Sequence, residues 1–175
     1  MTFLATLLRL ATAASAIDVY FHFDRSDCQG RSAVCTNLNP DTCCGVPTGS
    51  VPSLGFRDIP TNWFLQVRGH EGGGCRLTKT LETASFTNFK CLGNGPYTGA
   101  GYGFLSRKIV RGTEGVETQA AEKCTLPDLL VLEDGSKYSL SGLEEAKIVE
   151  TLAVVKNAAD GEALDDAVKG LEKVE

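Results

Sequence analysis

Seven cysteines carry most of the reactive chemistry in this sequence, six of them between Cys28 and Cys91, with Cys124 standing apart. The spacing is Cys28-x6-Cys35-x7-Cys43-Cys44, then Cys75-x15-Cys91. Structural zinc calls for repeated close Cys or His pairs, and this order matches no such module, so no metal is expected. A C-x-x-C redox pair is absent as well. Adjacent Cys43 and Cys44 cannot readily bond to each other, because ordinary disulfide geometry strains the peptide between them. Each is expected to bond elsewhere, so that "CTNLNPDTCCG" stitches two parts of the fold at one point. Six cysteines permit fifteen connectivities, and sequence does not choose among them. Our working expectation joins Cys75 to Cys91, worth about 3 kcal/mol by loop-closure entropy, and leaves Cys28 and Cys35 for Cys43 and Cys44. Cys124 is then the unpaired cysteine: a free thiol, a link to another chain, or a sign of a different pairing.

Other reactive side chains are sparse. The two histidines are His22 and His70. His70-Glu71, flanked by Arg68 and Arg76, has the residue types of a small ribonuclease, one group as base and one as acid. Neighbours on a Gly-rich turn are weak evidence for a site, so no catalytic residue is assigned. A copper brace would need His at the mature amino terminus. A nucleophile elbow of the G-x-S-x-G type is missing, and Glu71 with Glu82 reads as two solvated carboxylates. A binding patch is the alternative: Trp63, Phe64, Arg68 and His70 are its candidates, with a buried Trp63 as the simpler expectation. No cofactor is implied.

The elements that must position these residues follow from periodicity. "IDVYFHF" puts Ile17, Val19, Phe21 and Phe23 on one side, and "NWFLQVRG" does the same for Trp63, Leu65 and Val67. "CRLTKTLE", "SFTNFKCL" and "GYGFLSRKIV" are three further strand candidates, separated by Gly- and Asn-rich turns. Ahead of them, "MTFLATLLRLATAASA" is apolar and ends in the small-x-small pattern of a signal peptide, with cleavage after Ala16. No later segment is apolar enough to cross a membrane. Residues 17–113 carry ten Lys and Arg against seven acids, a charge too weak to argue for nucleic acid. Residues 114–175 carry six Lys against fifteen acids, which marks a compositional boundary. The expected organisation is a signal peptide at 1–16, a cysteine-rich all-β domain at 17–113, a linker at 114–124 and an acidic tail at 125–175. In the tail, Asp134-Gly135 suggests a type I′ hairpin turn. Ser141-Gly142-Leu143-Glu144 reads as a capping box opening a helix to about Asn157. A second helix is expected from near Asp160, weakened by Gly170 by roughly 1 kcal/mol relative to Ala. The fold class is mainly β: a small disulfide-stapled sandwich with a short helical tail that docks on it or hangs as a loose hairpin.

The order C-x6-C-x-N-x-N-P-x-x-CCG, then "GHEGGGC", then "CLGNGPYTGAGYGF", resembles the cysteine-rich small secreted proteins of filamentous fungi, many treated as effector candidates. The resemblance covers most of the mature chain and implies secretion and disulfides rather than an activity. A second resemblance is to the βγ-crystallin Greek key, a fold also used by microbial killer toxins. Phe23 to Gly30 fits its aromatic-x4-aromatic-x-Gly pattern except that Cys28 replaces the second aromatic, and the crystallin calcium signature is not found. The function expected is a non-catalytic extracellular interaction, effector-like or surface-binding, with an extracellular protein or glycan as partner. An antimicrobial or killer-toxin-like protein is the alternative, and a small secreted ribonuclease comes third. Arg107-Lys108 also admits removal of the acidic tail as a pro-segment.

Overall fold

The computed structural model describes residues 16–105, 124–159 and 161–175. The signal segment before Ala16, the Arg107-Lys108 pair and all of the expected linker except Cys124 lie outside the described residues. Two antiparallel sheets face each other across one core. The larger is built from β1 (Ile17–His22), β2 (Ser32–Leu38), β4 (Ser53–Arg57), β7 (Phe89–Leu92), β9 (Leu129–Val131), β10 (Lys137–Ser139) and β11 (Lys173–Val174). The smaller holds β3 (Cys44–Gly45), β5 (Phe64–Glu71), β6 (Leu77–Ser85) and β8 (Gly99–Phe104). Strand order is β11-β10-β9-β2-β1-β4-β7 in the first sheet and β3-β8-β5-β6 in the second.

Period-two burial explains the stacking. In β1, Ile17, Val19 and Phe21 are buried, and β1 is hydrogen-bonded on both sides, to β2 and to β4. In β5, Leu65 and Val67 supply the opposing face, joined by Ala84 of β6 and by Ala100 and Tyr102 of β8. Tyr102 is fully buried and donates its hydroxyl proton to the Leu38 carbonyl at 2.7 Å, which satisfies the one polar atom it brings inside. The even face of β1 departs from simple alternation. His22 is buried too, and Arg57 lies between the rings of Tyr20 and Phe89, 4.7 Å and 5.0 Å from their centroids.

The acidic tail does not hang free. β9 pairs with β2, so the carboxyl-terminal strands extend the same sheet that β1 centres. Helix α1 (Glu145–Asn157) buries Ile148, Leu152 and Val155, the residues its periodicity nominates. Its last carbonyls, of Val155 and Ala158, accept bonds from Arg31 at 2.9 Å each, while Asp24 grips the same guanidinium. A cation at a helix carboxyl end also suits the helix dipole. Lys156 donates to the Thr48 and Ser50 carbonyls at 3.0 and 2.7 Å.

Three local expectations need correction. Ser141 makes no cap: Glu144 is the residue before the helix, no side chain caps it, and Gly142 between them takes positive φ. The hairpin loop is not a two-residue type I′ turn. Gly135 N–H donates to Leu132 and Leu132 N–H to Ser136, a three-residue loop in which only Gly135 has positive φ. Helix α2 (Gly161–Val168) stops before Gly170, whose φ of +85° serves the turn leading to β11.

Candidate functional site

The connectivity differs from the expected one. Cys91 bonds to Cys28, not Cys75, pinning β7 beside β4 to the loop after β1 with Cα atoms 5.9 Å apart. Cys44 bonds to Cys35, one of the partners left open by the sequence. Cys43 is the distinctive residue. Cys75 and Cys124 both stand at bonding distance from it, with Cα separations of 6.0 and 4.7 Å. The three sulfurs lie within 4.8 Å of one another and all three residues are half-buried. Cys124, taken as the leftover cysteine, is thus part of a cluster.

Glycines make room for it. A Cβ on Gly74 would come within 2.8 Å of the Cys124 sulfur, and one on Gly45 within 3.2 Å of the Cys124 Cβ. Main-chain bonds hold the pieces together: Thr125 N–H donates to the Cys43 carbonyl at 2.8 Å, and Gly45 N–H to Thr125 at 3.0 Å. The strand β8 alternates Gly99, Gly101 and Gly103 with Ala100, Tyr102 and Phe104. Its glycine face accepts the "NPDTCC" turn directly. A Cβ on Gly101 would sit 3.0 Å from the Thr42 carbonyl, and Asp41 N–H donates to Tyr102 at 2.7 Å. The turn lies across β8 because β8 presents no side chains on that face.

The groups of the histidine constellation are each engaged by neighbours in the fold. His70 is 6% exposed and near Thr78, its Nδ1 3.4 Å from the hydroxyl. Burial, and then the charge of Arg68, push its pKa down to about 4, so it is neutral at ordinary pH. Glu71 pairs with Lys79 at 3.0 Å and Arg68 with Asp41 at 3.3 Å. Glu82 is engaged by Lys90 at 2.7 Å. His22, 2% exposed, is also pushed down to about 4 by burial and by Arg57.

The aromatic candidates fall into two pairs, each with a partner the sequence did not nominate. Trp63 precedes β5 and Phe64 begins it, at the end of the sheet where β6 and β8 finish. Trp63 is partly buried and meets Phe104 edge-on at 4.9 Å; Phe64 meets Phe86 edge-on at 5.1 Å. Phe64, Phe86 and Phe104 are 48%, 77% and 45% exposed, and Leu81, 52% exposed, lies opposite Arg68. Phe86 also has a φ of +55°, a left-handed conformation that a bulky residue seldom takes. Arg68 lies further along β5 beside Leu81, while His70 is near the opposite end of the strand from Phe64, paired with Gly99. Phe86 was missed because it follows strand β6 rather than alternating within it. The strand expected over "SFTNFKCL" encloses it, whereas β6 ends at Ser85 and β7 starts at Phe89, with Phe86 in the turn between them.

No curated protein and no solved structure matches the chain. The family model described as ARB_05566_N: N-terminal domain matches residues 18–128, which is more than half of the chain and runs from β1 to the residue before β9, so the chain belongs to that family.

Proposed function

We propose that this protein works outside the cell as a non-catalytic binding protein, and that its aromatic end is the contact surface for an extracellular protein. One observation carries the reading: Phe64 and Phe86 stand edge-on and exposed at one end of the smaller sheet, and Phe86 is held there in an unfavourable backbone conformation. Exposed apolar clusters mark interaction surfaces more often than they occur by accident. Aromatic anchors have the composition of interface hot spots. Phenylalanine and leucine offer few hydrogen bonds, which favours a protein partner over a glycan. β6 is also an edge strand, open in principle to an added strand. Disulfides suit an oxidising compartment, and none of the described helices is long and apolar enough to cross a membrane.

The test is binding of labelled full-length protein to intact cells and secreted matrix. We expect saturable binding that protease treatment of the surface removes, and that F64A combined with F86G weakens at least tenfold. Equal binding by the variant would refute the assignment of the surface. Loss after deglycosylation alone would transfer the role to a glycan. Growth inhibition of microbes independent of Phe64 and Phe86, or RNA cleavage abolished by H70A, would favour the toxin or nuclease reading instead.

A further inference from the structure

We propose that Cys43, Cys75 and Cys124 form a thiol–disulfide exchange site, in which one disulfide and one thiol shift between two pairings about Cys43. A sulfur takes part in one disulfide at a time, yet both partners of Cys43 have Cα separations, 6.0 and 4.7 Å, inside the range that disulfides span. With Cys28–Cys91 and Cys35–Cys44 formed, one bond joins only two of Cys43, Cys75 and Cys124 at a time, and the third is the exchanging thiol. That thiol lies within 4.8 Å of the disulfide it can attack.

The exchange is balanced without an outside oxidant. The Cys124 thiolate attacks the Cys43 sulfur, the Cys43–Cys124 bond forms, and the Cys43–Cys75 bond breaks. Cys75 leaves as a thiolate and takes up the proton that Cys124 gave up. The scaffold serves both states. The Thr125 and Gly45 main-chain bonds keep residues 43 and 124 side by side, and Gly74 leaves space for the Cys124 sulfur. As a thiol, Cys75 has acceptors waiting, the Ala100 and Cys44 carbonyls at 3.6 and 3.9 Å. Exchange moves the staple on the "NPDTCC" turn from the β5–β6 turn to the segment leading into β9. Half-burial leaves the released thiol within reach of small thiol reagents.

The experiment uses the full chain, purified without reductant, quenched in acid, alkylated and digested without reduction for mass spectrometry. One alkylated thiol per chain is expected, divided between Cys75 and Cys124, with both Cys43–Cys75 and Cys43–Cys124 peptides recovered. C75S and C124S should each show a single linkage to Cys43 and no alkylated thiol. The two wild-type isomers, separated in acid where thiolate is scarce, should return to one common ratio at a pH of about 8. An isomer that stays as isolated would overturn the proposal. So would a label confined to one cysteine, a disulfide between chains through the third, or one equivalent of metal held by all three thiolates.

Discussion

Phe86 joins the functional and physical arguments at one residue. A left-handed conformation costs an L-residue roughly 1–2 kcal/mol, and glycine escapes that penalty at some entropic expense. Phe86→Gly should therefore leave unfolding free energy unchanged or raise it by up to about 1 kcal/mol, while binding falls. A loss well beyond about 1 kcal/mol in denaturant titration would make Phe86 a structural residue and not a binding one. The histidines make a separate prediction. His22 and His70 both drop to about 4 from the ordinary 6.5, so the unfolded chain binds more protons between those values. Their contribution to stability is full above about pH 6.5 and is lost as pH falls towards about 4, on the order of a few kcal/mol for the two. Urea unfolding at stepped pH should show the decline, and H22Q combined with H70N should flatten it.

At the scale of elements, α1 is secured by charge as well as by its apolar face. Arg31 donates to the Val155 and Ala158 carbonyls while Asp24 neutralises it, and the Arg31 side chain is mostly shielded from water. Charge-assisted bonds of this kind contribute about 1.5–3 kcal/mol. Arg31→Ala should lower the thermal midpoint accordingly, with helix signal lost before or with the strand signal. An unchanged midpoint would mean that α1 docks through Ile148, Leu152 and Val155 alone. The periodicity of this helix was readable in the sequence because those residues fall on one face. Its start was not, since a Ser-x-x-Glu pattern says nothing about the positive φ of the intervening Gly142.

For the whole molecule, the family match ends at residue 128, yet the fold does not. β9 is hydrogen-bonded to β2, and Leu130, Leu140, Leu152 and Val155 belong to the same buried cluster as Val19 and Phe21. A chain ending at Asp128 would expose that apolar surface and leave β2 as an open edge. We expect it to aggregate or to lack cooperative unfolding, and a soluble two-state domain from that chain would show that the carboxyl-terminal elements are accessory. The Cys28–Cys91 bond closes a loop with a sequence separation of 63 residues, worth about 4 kcal/mol by chain entropy.

The sequence by itself determined the class of the protein: a mainly β, disulfide-stapled chain with a helical carboxyl-terminal segment. Period-two runs at Ile17–Phe23 and Trp63–Val67, turn residues and cysteine density are local signals, and they survive without knowledge of neighbours. What only the tertiary structure decided depends on contacts distant in the chain. Cys43 meets both Cys75 and Cys124 because the glycine face of β8 lets the "NPDTCC" turn cross it and Gly74 admits a third sulfur. Phe104 meets Trp63, and Phe86 meets Phe64, because β8 and β6 end where β5 begins. Register and disulfide partners are set by which faces pack together, and no spacing along one chain encodes that.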